Sequence, residues 1–241
     1  MTDLLFRDDA YLSAAEATII EASDDGVLVD RSIFYAQGGG QPGDTGELEF
    51  SDGTRVAVTG AVWADEAKTQ VRLVLAEGAR RPAAGESVVQ HLDWPRRYAL
   101  MRMHTALHLL SVALPYPVTG GQIGTEEGRL DFDMGEGVID RDAVTARITA
   151  EIAADHAVTT EWITDAELDA NPGLVKTMMV QPPRGSGRVR LVRIGTGLDL
   201  QPCGGTHVRS TAEIGEVHLG KIEKKGRINR RVRLRFGPPP G

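Results

Sequence analysis

Two short runs about a hundred residues apart, His104-Thr105-Ala106-Leu107-His108 and Cys203-Gly204-Gly205-Thr206-His207, constrain this chain more than any other feature. Each carries a pair of soft donors four positions apart, and Cys203 is the only cysteine among 241 residues. On a helix, a spacing of four puts both imidazoles on one face with roughly 5 to 6 Å between Cβ atoms, close enough to share one metal ion. In the second run, Gly204 and Gly205 let the backbone fold tightly so that Cys203 and His207 converge. One such pair arises often by chance. Two pairs in a chain with one cysteine and six histidines point to a single site of three nitrogens and one sulfur, a set that suits Zn²⁺. Its ligands come from distant sequence, so it also staples a helix to a sheet. Four protein ligands usually close a structural site, whereas a catalytic one keeps a position open; both readings stand at this point. A lone cysteine makes no intramolecular disulfide, which agrees with a reducing compartment.

The rest of the sequence supplies the helix and the sheet. From about Asp93, a capping residue followed by Pro95, the run RRYALMRMHTALHLLSVAL continues without a breaker to Pro115, which predicts a long helix. Leu100, Met103, Leu107, Leu110 and Leu114 form its buried stripe, with His104 and His108 at the margin. A second helix is expected over about 141–156, with Val144, Ile148 and Ile152 on one face. HAVTTEWIT, RVRLVRIG, EVHLGKIEKK and RRVRLRF read as strands, the last two joined at Gly226. Asp131 and Asp133 in RLDFD alternate along a further strand and read as a solvated face.

Before this region, VLVD, ELEF, RVAVTGAVW, QVRLVL and SVVQHLDW alternate and are separated by turns such as Asp24-Asp25-Gly26. That spacing predicts a small β-barrel. The fold class is therefore α+β: an N-terminal barrel over 1–93, then helices packed on an antiparallel sheet over 94–241. Inside the barrel segment lies FYAQGGGQPGDTG, with Gly38, Gly39, Gly40, Gly43 and Gly46 in nine residues. It matches neither a phosphate loop nor a dinucleotide turn.

Charge is polarised along the chain. Residues 1–95 carry 7 Lys and Arg against 17 Asp and Glu, residues 96–170 carry 6 against 13, and residues 171–241 carry 14 against 4. The last segment, at +10 in a chain of net charge −7, can present a basic face to a polyanion. The amino terminus has no basic stretch followed by an apolar core, and no run approaches the roughly 18 apolar residues of a membrane span. A cytoplasmic protein with no membrane partner is expected, disordered only in its GPPPG tail. No GxSxG elbow supports a serine hydrolase. His91, His156 and His218 lack partners at ligand spacing.

Taken together, HTALHLL and QPCGGTHV resemble the editing domain of alanyl-tRNA synthetases and the free-standing AlaX-type alanyl-tRNA editing proteins. GRLDFD is similar to the R-x-D-F segment of that family, and THVRSTAEIGEVHLGKIEKKG to its T-G-E-I-G stretch and following hairpin. FYAQGGGQPGDTG resembles the signature of the barrel domain that precedes the editing domain, although Ala36-Gln37 stand where some members have glutamate. The resemblance covers about residues 30–236. It implies a zinc-dependent hydrolase that deacylates mischarged tRNA(Ala), above all seryl-tRNA(Ala) and by extension glycyl-tRNA(Ala). It implies that His104, His108, Cys203 and His207 bind Zn²⁺, with His104 and His108 at the chemistry. Thr119, Gln122, Gly38, Gly39, Gly40 and Gln41 would meet the aminoacylated end. The basic residues Lys221, Lys224, Lys225, Arg227, Arg230 and Arg231 are candidates for tRNA phosphates. Two alternatives are a non-catalytic, zinc-stabilised RNA-binding module and a deacylase of the threonyl-tRNA editing type.

Overall fold

The computed structural model describes residues 1–175 and 187–239; the last two residues of the GPPPG tail lie outside them. The chain divides into two compact units, one of residues 1–38 and 42–98, the other of residues 39–41 and 99–241.

The first unit contains β1 (Ala14–Ser23), β2 (Gly26–Val29), β3 (Gly46–Phe50), β4 (Arg55–Trp63), β5 (Val71–Leu75) and β6 (Ser87–Leu92), closed into an antiparallel barrel in the order β1-β2-β5-β4-β3-β6. The five alternating runs of the sequence are β2 to β6. Strand β1 is an addition to them: AAEATIIEAS is rich in alanine and glutamate, poor strand formers, and pairing with β2 on one side and β6 on the other sets its conformation. Alternation points Leu48 and Phe50, Val56 and Val58, and Val71 and Leu73 into the barrel, where all are buried. Each contributes on the order of 1.5 to 3 kcal/mol of apolar burial. A short helix, α1 (Leu5–Asp8), adds Phe6, whose ring meets Tyr35 edge-on at 5.4 Å.

One buried ion pair interrupts this apolar core. Arg97 and Asp44 are both almost fully buried. Arg97 Nε donates to Asp44 Oδ2 at 3.0 Å, and its terminal nitrogens donate to the carbonyls of Ala10 at 2.8 Å and Ile33 at 2.6 Å. Asp44 Oδ2 also accepts the Tyr35 amide at 2.6 Å. The aspartate of the glycine-rich stretch is thus an internal tie of the barrel.

Helix α2 (Trp94–Ala113) crosses the division between the units at Tyr98 and Ala99. Asp93 caps it as expected, its Oδ1 accepting the Arg96 amide at 3.2 Å. The second unit also holds β7 (Val118–Gln122), β8 (Glu127–Asp133), α3 (Arg141–Ala153), β9 (Val158–Thr164), α4 (Asp165–Ala170), β10 (Arg188–Ile194), β11 (Asp199–Pro202), β12 (Val217–Lys225) and β13 (Asn229–Phe236). They form an antiparallel sheet in the order β12-β13-β8-β7 and a smaller one in the order β11-β10-β9. The fold is α+β, with a closed barrel followed by helices and antiparallel sheets. Helix α4, not anticipated from the sequence, begins at a capping box formed by Thr164 and Glu167. Among the described residues no helix is long and apolar enough to cross a membrane.

Candidate metal centre

His104 and His108 sit one turn apart on α2, and Cys203 and His207 lie on the loop that follows β11. One donor atom from each of the four side chains falls within 4.8 Å of the others. Cys203 Sγ is 3.2 Å from His207 Nε2 and 3.5 Å from His104 Nε2. Ligand bonds of about 2.3 Å to sulfur and 2.0 to 2.1 Å to nitrogen in a tetrahedron put sulfur and nitrogen roughly 3.6 Å apart, so these separations fit zinc closely. The histidines are only 6 to 8% exposed. That corrects the marginal position expected for His104 and His108: nearly every face of α2 in this unit is covered, so the helix has no wet side near them.

The Nδ1 atom of each histidine already has a partner, which leaves Nε2 for a metal. His104 Nδ1 lies 3.1 Å from Gln41 Oε1, His108 Nδ1 lies 2.8 Å from Asp199 Oδ2, and His207 Nδ1 lies 3.1 Å from Thr105 Oγ1. These outer partners are themselves held. Thr105 donates to the Met101 carbonyl one turn back at 3.0 Å, so its hydroxyl oxygen is free to accept from His207. Gln201 Nε2 donates to Asp199 Oδ2 at 2.8 Å. Gln41 donates to Thr206 Oγ1 at 2.9 Å and accepts the Thr206 amide at 3.1 Å. Such outer-shell bonds fix ring orientation and raise the basicity of the ligating nitrogen.

Of the two glycines between Cys203 and His207, Gly205 is the one that close approach requires. A Cβ there would lie 2.3 Å from His104 Cε1 and 2.7 Å from Gln41 Oε1, whereas one at Gly204 would meet nothing within 4 Å among the described residues. Arg190, on β10, completes the loop by donating from one terminal nitrogen to the carbonyls of Cys203 and Gly205, both at 2.9 Å.

The charge states follow from burial opposed by neighbours. Burial resists ionisation of the Cys203 thiol, but its neighbours, the His104 imidazole above all, outweigh it and hold the thiol well below its ordinary value. Burial and the neighbouring His104 push His207 down to about 3, so its ring is neutral. For His108 burial again opposes the charge; hydrogen bonds that its ring donates to Asp199 and Cys203 overcome it and raise the group to about 9. The thiolate and the neutral His207 ring are ready for a divalent cation, whereas the Asp199-backed His108 must first give up its Nε2 proton.

Asp199 and Gln201 escaped the sequence reading, although they carry a signal. With Cys203 they occupy alternate positions, and a strand sends alternate side chains to one side. Gln41, expected to meet the aminoacylated end, lies against Nδ1 of His104. Replacing it by leucine is expected to weaken metal binding about 10- to 100-fold, measured by competition with a chromophoric chelator; unchanged affinity would mean that Gln41 only fills space.

The other expected residues are placed as follows. Gly38 accepts a hydrogen bond from the Tyr35 hydroxyl at 2.8 Å within the first unit. Gly39 and Gly40 belong with the second unit, where the Gly40 carbonyl accepts the Ile123 amide at 2.8 Å. Gly40 has φ +84°, and a Cβ there would lie 2.7 Å from the Gly121 carbonyl oxygen. Thr119 is the extra residue of a bulge in β7, and its hydroxyl donates to the Asp131 carbonyl at 3.1 Å. Gln122 accepts from Arg129 Nε at 3.1 Å and lines a cavity of about 280 Å³ together with Gly124 to Arg129 and Arg233. Lys221, Lys224, Lys225 and Arg227 are exposed. Arg230 donates to the Gly135 carbonyl at 2.9 Å, and Arg231 grips Asp131 with two bonds of 2.8 and 2.9 Å. Asp131 is therefore paired within its sheet, where the sequence suggested solvent.

Comparison with known proteins adds a second line of observation. The family model described as "Threonyl and Alanyl tRNA synthetase second additional domain" matches residues 189–233. The alanyl-tRNA editing protein AlaX-M of Methanosarcina acetivorans is 32% identical over 240 residues, covering 96% of this chain and 98% of that protein. The chain belongs to the AlaX-M family of alanyl-tRNA editing proteins. The AlaX-M protein of Saccharolobus solfataricus is 33% identical over the same two shares of length. An alanine–tRNA ligase of Pyrobaculum arsenaticum is 32% identical over 91% of this chain but only 25% of its own length. Membership in AlaX-M thus spans both units, and the same pair recurs inside a much longer synthetase.

Proposed function

We propose that this protein is a zinc-dependent deacylase that removes serine, and by extension glycine, from mischarged tRNA(Ala) in trans. The observation that carries the reading is the convergence of one thiolate and three imidazoles whose Nδ1 atoms are all engaged, in a chain of the alanyl-tRNA editing family. His104, His108, Cys203 and His207 would hold the ion. When bound, zinc supplies Lewis acidity toward an ester carbonyl and lowers the pKa of water. The reaction adds water to the ester carbon, breaks the bond to the terminal ribose oxygen and returns a proton to that oxygen.

The chain's own residues do the positioning. Asp199, Thr105 and Gln41 hold the three rings in one tautomer, and Arg190 fixes the Cys203–Gly205 turn. Thr119 is assigned to the serine hydroxyl. Because its own proton goes to the Asp131 carbonyl, it meets serine through an oxygen lone pair, which alanine has no hydroxyl to fill. A site built to bond a hydroxyl separates such substrates better than one that reads size alone.

The test is release of amino acid from seryl-tRNA(Ala), alanyl-tRNA(Ala) and seryl-tRNA(Thr) by the zinc-loaded protein. Release of serine from the first is expected, with alanine kept on the second and serine on the third, and Thr119→Val should narrow the gap between serine and alanine. No release from seryl-tRNA(Ala) with zinc bound sinks the enzyme reading and leaves the second one. That second reading, a metal that only staples α2 to the β11 loop, is favoured by the burial of all three histidines and by the completeness of the four-donor set.

Metal affinity should depend on pH through His108. Its Nε2 must lose a proton to bind, and the metal-free group titrates at about 9. Affinity is therefore expected to rise about tenfold per pH unit from neutrality to pH 9 and to level off above it, with close to one proton released per metal at pH 7. Calorimetry in buffers of different ionisation heat measures that proton; no release at pH 7 overturns a metal-free His108 that is protonated at neutrality and binds the metal.

A further inference from the structure

The outer face of three neighbouring strands, β12, β13 and β8, carries an ordered excess of positive charge. Alternation sends Arg231, Arg233 and Arg235 of β13 to this face. Register sets them against Asp131, Arg129 and Glu127 of β8, and Arg231 also faces Glu223 of β12. Lys221 and Lys225 complete the set from β12. Six cations therefore share the face with four carboxylates, of which Asp133 stands at the end, opposite Asn229. Asp131 is held by Arg231 and, at 3.0 Å, by Arg129. Glu127 is held by Arg233 and, at 2.7 Å, by Arg235. Glu223 is held by Arg233 at 3.2 Å, Lys221 at 3.4 Å and Lys225 at 3.9 Å.

Asp131, Glu127 and Glu223 are thus each bonded by at least two cations, and with Asp133 counted the plane keeps about two positive charges that its own anions do not neutralise. The crossbraces hold the arginines upright, while Lys221, Arg235 and Lys225 stay 72, 53 and 46% exposed. A fixed cationic plane is complementary to a regular polyanion, and ordering its side chains beforehand lowers the entropy cost of binding. Arg129 and Arg233 also line the cavity that holds Gln122, so the plane runs to the edge of that cavity.

We propose that this face is the docking plane for the phosphate backbone of tRNA. It rests on the tRNA reading above and redistributes the basic residues of the hairpin. Lys221, Lys225 and Arg231 lie in the plane, joined by Arg129, Arg233 and Arg235. Lys224 sits in register with Arg230 on the opposite face, and Arg227 lies in the turn between the strands.

The experiment is a salt titration of tRNA(Ala) binding, followed by fluorescence anisotropy, on zinc-loaded full-length protein. A plane variant carries Lys221→Gln, Lys225→Gln and Arg235→Gln, and a tip variant carries Lys224→Gln and Arg227→Gln. Each lost phosphate contact removes about 0.7 to 0.9 from the slope of log K against log salt, so the plane variant should lose roughly 2 to 3 in slope and about tenfold to a hundredfold in affinity at 100 mM salt. The tip variant should keep the wild-type slope, and thermal melts of all three proteins should coincide. A plane variant with the wild-type slope, or a tip variant that accounts for the loss, overturns the plane. Wild-type protein that binds no tRNA overturns the plane and the tRNA reading together. Loss of slope in the plane variant, with no serine released by the wild type, supports the plane and sinks the deacylase reading.

Discussion

Replacing Cys203 by alanine is expected to strip the metal from the protein and abolish serine release with it. Structural zinc sites bind with about 10 to 16 kcal/mol at neutral pH, so one ligand of four accounts for roughly 3 to 4 kcal/mol and its loss for on the order of a hundredfold to a thousandfold in affinity. The effect should exceed that share here. Cys203 supplies the only anionic ligand of the four, and without it three buried rings lie close together, with His104 and His207 centroids 4.1 Å apart. Metal content after dialysis, measured by atomic emission, should fall from about one per chain to near zero. Substituted with Co²⁺, the wild type should show the sulfur-to-metal charge-transfer band that the variant lacks. A metal-free Cys203→Ala protein with full deacylase activity would take zinc out of the mechanism.

A comparable loss, of stability this time, is expected from Asp44→Ala. The substitution leaves the Arg97 guanidinium buried with its two carbonyl acceptors but no counter-charge. Breaking one half of such a pair costs about 3 to 5 kcal/mol. In a chain of this length that lowers the melting temperature on the order of 10 °C. The cost belongs to the stranded charge, so a second change, Arg97→Met, should restore much of it. Differential scanning calorimetry of the single and double variants decides the matter. An Asp44→Ala protein that melts with the wild type would mean that water reaches Arg97.

How far the sequence could be read depended on whether a signal was local. The four donors were legible because each pair sits at a spacing that one helical turn or one tight loop can close. The barrel was legible from five alternating runs, and β1 was not, since its alanines and glutamates favour a strand only when neighbours are already in place. Asp199 and Gln201 stand behind His108 through a contact more than ninety positions long, which no spacing rule joins. Gln41 hid in the same way: within a glycine-rich run it looked like part of a loop, and its role depends on His104 and Thr206 coming to meet it. The plane of arginines was half visible. Alternation in RRVRLRF fixes which side chains share a face, but the three carboxylates that brace them come from two other strands.

The placement of Gln41 limits how this protein can be taken apart. A fragment beginning at Ala99 would carry all four donors and every strand of both sheets, and it would still lack the oxygen that orients His104. The metal centre is therefore not contiguous in the gene. Recombination that moved only the downstream segment would deliver a site with one ring unaligned. Both the free-standing relatives and the synthetase match this chain across more than nine-tenths of its length, so the two segments recur in them as one heritable piece.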